Sequence, residues 1–143
     1  MELSKNFQLS EFLKSQTATR YGIKDQFDPP MDIINNLRLL CEKILQPVRN
    51  ALPGIIIISS GYRCSELNVR LKGARASQHL IGQAADCNYY ESGIEDNMKL
   101  FNQIIKMGLP FDQLIKEYGT EEQPAWIHVS YSDRQRKQIL RIK

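Results

Sequence analysis

The chain has 143 residues, the size of one ordinary domain, and 19 basic against 16 acidic side chains give a formal charge of +3. Hydrophobic residues make up 42% and charged residues 24%, a balance that excludes a disordered tail. The longest all-aliphatic run, Ile55–Ile58, is far short of the ~20 residues of a bilayer span, and the mixed-charge amphipathic N-terminus has no apolar region of the kind a secretory signal needs.

Ser10 ahead of Glu11-Phe12-Leu13-Lys14 predicts an N-capped first helix from Glu11 to about Ala18. The polar stretch Arg20–Asp28 ends in Pro29 and Pro30, which force extended or turned backbone. From Met31 to Leu52 apolar residues recur at Ile33, Ile34, Leu37, Leu40, Cys41, Ile44, Leu45 and Val48, the steps of a long helix with one buried face. Pro47 is expected to kink its last turns and Pro53-Gly54 to end it. The β-branched run Ile55–Ile58 predicts a buried strand, which the chain leaves through Ser59-Ser60-Gly61-Tyr62-Arg63. A short helix over Glu66–Leu71, a small-residue loop over Lys72–Gln78 and a second strand over Gln83–Tyr89 follow. Ile94–Met107 has the pattern of a second amphipathic helix, closed by Gly108 and Pro110. Gln113–Tyr118 and Trp126–Tyr131 read as paired strands, and Gln138–Ile142 as a last edge strand. The expected class is α+β: a small, mostly antiparallel sheet with helices packed on it, in a single domain spanning residues 1–143.

The charge excess is too small to name a partner. Arg134, Arg136, Lys137, Arg141 and Lys143 crowd the C-terminal segment and read as a solvated face, with contact to an anionic polymer as the alternative. No nucleic-acid-binding motif accompanies them, so neither nucleic acid nor membrane is expected as a partner. Three cysteines without a CxxC make no disulfide framework. Cys41 falls on the apolar helix face; Cys64 and Cys87 each lie beside a candidate functional residue and are expected to be small buried side chains.

Only two histidines are present, His79 and His128, so any metal bound through imidazole must use these. His79 ends a loop, Gly82 permits a tight bend, and Asp86 follows two alanines inside a strand. A carboxylate in such an apolar strand needs a partner, because burying a lone charge is costly; a metal ion or a nearby arginine would serve. In Trp126–Tyr131 alternation puts Ile127 and Val129 on one face and Trp126, His128 and Ser130 on the other. His79, Asp86 and His128 can therefore converge on the sheet face as three ligands with an open fourth position, the pattern of catalytic zinc, though non-haem iron uses a similar trio.

The order Ser77-x-His79-x-x-Gly82-x-Ala84-x-Asp86, then Trp126-x-His128-Val129-Ser130, resembles the M15 family of zinc D-Ala-D-Ala carboxypeptidases and related peptidoglycan endopeptidases. Ser59-Ser60-Gly61-Tyr62-Arg63 matches that family's SGYR element. The resemblance runs from Ile33 to Tyr131 and is strongest to the compact single-domain members of phages and bacteria. It implies one Zn2+ held by His79, Asp86 and His128. It implies further that Arg63 reaches the metal-bound substrate, where a cation stabilises the oxyanion, and that Ser77 helps to hold the peptide. A loop-holding salt bridge for Arg63 and a capping role for Ser77 are the structural alternatives.

Zinc of this kind lowers the pKa of its bound water towards ~7, and a carboxylate must carry the water's proton to the leaving amine. Many relatives place Glu or Asp three residues before the second histidine, where this chain has Ala125. Glu117, Glu121 and Glu122 are the candidates. If the two strands pair about a turn centred between 121 and 122, Glu117 falls opposite Trp126 and shares a face with His128 at the ~7 Å diagonal offset. Compact relatives with an LIxE segment before WxHxS point to Glu117 as well, whereas Glu121 and Glu122 would sit solvated at the loop tip. Trp126 either walls the substrate groove or packs beneath the metal, and Tyr62 reads as packing.

The leading expectation is a monomeric zinc peptidase acting on peptidoglycan stems or cross-links, as exo- or endopeptidase. Without a signal peptide it would be made in the cytoplasm and reach the wall on lysis, as endolysins do, or in a phage particle. A cytoplasmic D-Ala-D-Ala dipeptidase is one alternative. A non-catalytic wall-binding or phage structural module, keeping zinc only for folding, is the other, and the missing carboxylate before His128 favours it.

Overall fold

In the computed structural model, which describes residues 1–143, a hairpin of β1 (Glu2–Ser4) and β2 (Phe7–Gln8) runs straight into α1 (Leu9–Leu13). The expected first helix is two helices. The first is anchored by Glu11, whose carboxylate accepts from the Gln8 N–H at 2.6 Å, and it ends where Lys14 turns to ψ 137°. Ser15, not Ser10, is the N-cap: its hydroxyl accepts from the Ala18 N–H and opens α2 (Gln16–Tyr21).

α3 (Met31–Leu40) and α4 (Gln46–Ala51) form the predicted long helix, joined by a π-helical turn over Cys41–Leu45 in which the Gln46 N–H donates to the Cys41 carbonyl. Pro47 accounts for that turn. It has no N–H to give and its ring crowds the turn before it, so the helix widens just ahead of it. The apolar face read from the sequence is buried along its whole length, from Ile33 to Val48.

β3 (Ile55–Ser60) is a sheet edge. Ile56 and Ile58 are buried while Ile55 and Ile57 are exposed on the opposite face, so the run is half-buried and not the buried strand its composition suggests. α5 (Ser65–Arg70) follows, then β4 (Ala84–Glu91), which turns through Ser92 and Gly93, both at positive φ, into β5 (Ile94–Glu95). That hairpin takes the first residues of the predicted second amphipathic helix. The helix itself, α6 (Asn97–Lys106), starts where Asp96 accepts from the Lys99 N–H.

β6 (Gln113–Glu117), β7 (Trp126–Ser130) and β8 (Gln138–Ile142) complete a sheet of order β3-β4-β7-β6-β8, with β5 on β4. Its pairings are antiparallel except the last, because β8 runs parallel to β6 and makes the sheet mixed. The crossing after β7 is the reason. The Lys137 N–H bonds the Phe111 carbonyl and the Gln138 N–H bonds that of Asp112, seating the chain beside the start of β6, from where it runs in the same direction.

One face of the sheet, including Ile58, Cys87, Tyr89, Leu114, Ile127 and Val129, joins the helices in a continuous core. α1 packs on β3, and α6 on β4 and β7. All three cysteines are free and buried. No helix is long and apolar enough to cross a membrane. The other face of the sheet carries the site.

Candidate metal centre

The registers decide which side chains meet. β4 and β7 pair with Asp86 opposite His128, while β6 and β7 pair with Ile115 opposite His128 and Glu117 opposite Trp126. Ala85, Cys87, Ile127 and Val129 go to the core, so Asp86 and His128 project from the opposite face. His79 arrives from a 3₁₀ turn, Gln78–Ile81. Ser77 caps this turn by accepting from the His79 N–H, and Gly82 ends it at φ 72°. A Cβ at Gly82 would stand 2.8 Å from the Ile33 carbonyl oxygen, so the bend that aims His79 requires glycine twice over.

His79 Nδ1 lies 2.7 Å from the Gly61 carbonyl oxygen, which can only accept. Nδ1 therefore donates to it, which leaves Nε2, 3.4 Å from Asp86 Oδ1, as the ring atom on the side of the trio. His128 Nδ1 is 3.2 Å from the same oxygen and 3.5 Å from Glu117 Oε2. The two rings stand nearly edge to face, 5.2 Å apart. One ligand atom from each of His79, Asp86 and His128 lies within 4.8 Å of the others, and all three residues are buried. Burial alone would raise the Asp86 carboxyl, but hydrogen bonds to His128 and His79 outweigh it and hold the group well below the usual carboxylate range. Burial, and then the Asp86 charge, push Glu117 upward. Two imidazole nitrogens and a carboxylate oxygen converging from three elements are a donor set that fits zinc.

Arg63 borders the trio. Its Nη2 is 3.6 Å from Asp86 Oδ2, while Nε donates to Ser60 Oγ and Nη1 to Asn68 Oδ1. It thus makes the salt bridge weighed from the sequence and also lines the cleft, a space of about 520 Å³ that it shares with Ser77, His79, Asp86, Glu117 and His128. Of the three candidate glutamates only Glu117 enters this cleft: Glu121 pairs with Lys116 and Arg141, and Glu122 is exposed. Trp126 is not part of the cleft lining. Its ring packs on Tyr118 at 5.1 Å.

Two residues that support the site have no sequence signal. Gln26, wholly buried, donates to the Leu13 and Tyr62 carbonyls and accepts from the Cys64 N–H. It fixes the backbone on both sides of Arg63, in the same segment whose Gly61 carbonyl orients His79. Asp112, also wholly buried, accepts from Gln78, the neighbour of His79, and from Arg136. A glutamine in a polar stretch and an aspartate at a strand start are too ordinary to stand out.

An α+β chain with a His-Asp-His trio able to hold a metal ion on its open sheet face has the parts of a metal-dependent enzyme. The family model described as Peptidase M15 matches residues 5–130, and the chain belongs to that family. M15 peptidases are zinc-dependent, so membership implies zinc metallopeptidase activity. The match begins well before the motifs and takes in α1, α2 and Gln26. No curated protein matches the chain.

Proposed function

We propose that this protein hydrolyses peptide bonds of bacterial peptidoglycan stems or cross-links, as a D,D-carboxypeptidase or endopeptidase of the compact phage-type kind. One zinc ion is held by His79, Asp86 and His128. The observation that carries this reading is the carboxylate of Glu117 in the cleft, 3.5 Å from His128 Nδ1, which does from β6 what Ala125 cannot.

A zinc ion held by these residues would supply Lewis acidity to the scissile carbonyl and to the attacking water. Glu117 takes the proton of the attacking water and hands it to the leaving amine. Arg63, tethered by Ser60 and Asn68, stabilises negative charge developing on the carbonyl oxygen. Ser77, at the cleft edge, contacts the peptide. The substrate class is supported by the motif likeness to peptidoglycan-cleaving members of the family. The protein acts as a monomer at the cell wall, without nucleic acid or membrane as partner.

Mass spectrometry of muropeptides digested by the zinc-loaded protein tests the reading. New fragments should disappear with chelator and return with added zinc. Glu117→Gln should keep one zinc per chain and lose about 100- to 10,000-fold in kcat. Full activity in that variant would remove Glu117 from the base role. No cleavage by the loaded wild type would favour a wall-binding module.

A further inference from the structure

The cleft has a second charged wall, away from the metal ligands. The buried Asp112 carboxylate accepts from Gln78 Nε2 at 2.9 Å and from the Arg136 backbone N–H at 3.1 Å. It also takes Arg136 Nε at 2.9 Å, Arg136 Nη2 at 3.0 Å and Arg134 Nη2 at 3.4 Å. These two arginines are not equivalent. Arg136 commits one edge of its guanidinium to a bidentate pair and is a strut. Arg134 has a single long contact and a side chain that is 61% exposed, so most of its donors stay free. Both line the cleft that holds His79, Asp86, Glu117 and His128.

The backbone between β7 and β8 is bent to put them there. Gln135 and Lys137, on either side of Arg136, have φ 41° and 52°, in the left-handed region that non-glycine residues avoid. Hydrogen bonds from Gln135 to Ser132, from Lys137 to Phe111 and from Gln138 to Asp112 hold the turn in that shape. One carboxylate set against two guanidiniums leaves a positive charge at the rim. A guanidinium with free donors is a planar fork that matches a carboxylate and that a neutral amide cannot match as well.

We propose that Arg134 binds the free terminal carboxylate of the peptide substrate, with Asp112 and Arg136 as the positioning residues that keep it over the cleft. This rests on the peptidase reading above and narrows it to peptides that end close to the scissile bond.

The test is calorimetry on the zinc-loaded full chain with N-acetyl-D-Ala-D-Ala whose scissile amide is reduced to CH2–NH. The probe is used as the free acid and as the C-terminal carboxamide. Neither is hydrolysed, so binding is read apart from catalysis. The wild type should bind the acid about tenfold tighter than the carboxamide. R134Q should bind both as the wild type binds the carboxamide, and R134K should recover part of the difference. A wild type without preference, an unchanged preference in R134Q, or an equal loss on both probes would overturn the proposal. Cleavable acid and amide peptides run alongside separate the two ideas. An acid preference with no hydrolysis sinks the peptidase reading and leaves the carboxylate site standing, and hydrolysis with no acid preference does the reverse.

Discussion

A glutamine amide carries two donors and an acceptor, and Gln26 sets them on two carbonyls and an N–H that water does not reach. Replacing it with alanine leaves these groups unpaired in the interior, where each costs about 1–3 kcal/mol. Gln26→Ala should therefore lower the stability read from urea unfolding by about 3 kcal/mol or more. It should also reduce turnover in the fraction that remains folded, because the segment carrying Arg63 and the Gly61 carbonyl loses its clamp. A change near zero would mean that other contacts hold that segment. The candidate metal trio is legible because few side chains can do such chemistry and this chain has only two histidines. The place of Glu117 in the cleft is legible through strand register, an arithmetic property of the pairing. Gln26 and Asp112 are not, since their partners are backbone groups and arginines that only the folded chain brings near.

Among the elements, the β6–β7 hairpin decides where Glu117 points. Tyr118 and Gly119 sit at φ 59° and 60°, and a Cβ on Gly119 would lie 2.3 Å from the Gln123 carbonyl oxygen and 2.8 Å from the Ala125 nitrogen. Gly119→Ala must open this turn. It should cost about 1–3 kcal/mol and lower kcat beyond what the loss of folded protein explains, as thermal melts beside kinetics would show. Undiminished kcat would mean that the strands alone keep the register.

The turn before β8 responds to acid. Arg136 holds Asp112 well below its ordinary value, against the effect of burial. The resulting stabilisation is complete above the unfolded carboxyl pKa of ~3.9 and is lost as pH falls through that value towards the lower folded one. Urea midpoints should drop between pH 6 and pH 3 in the wild type and drop less in D112N, which starts lower. Equal drops would show that Asp112 contributes nothing to the acid limb. Neither the direction of β8 nor the split of the first helix could be read in advance. The direction depends on hydrogen bonds from residues 137 and 138 to residues 111 and 112, and the split on which of two serines finds a free N–H.

For the whole molecule, a zinc ion on the trio would make folding answerable to it. An ion that binds only the native arrangement stabilises it by about 4 kcal/mol when free zinc is a thousandfold above Kd. At roughly 2–8 °C per kcal/mol, chelation should lower Tm by about 10 °C or more, and added zinc should restore it. Calorimetry with and without chelator checks this, and a Tm indifferent to both would deny the trio its ion.

Asp86 and His128 stand 42 residues apart, with β5, α6 and β6 between them. Once both grip the same ion, that stretch is a ring closed by coordination bonds. α6 can fray inside the ring, but β4 and β7 cannot separate until a ligand lets go. Release of the ion would then gate complete unfolding, and where proteases cut faster than the chain recloses, the protein's survival would follow the zinc off-rate rather than its equilibrium stability.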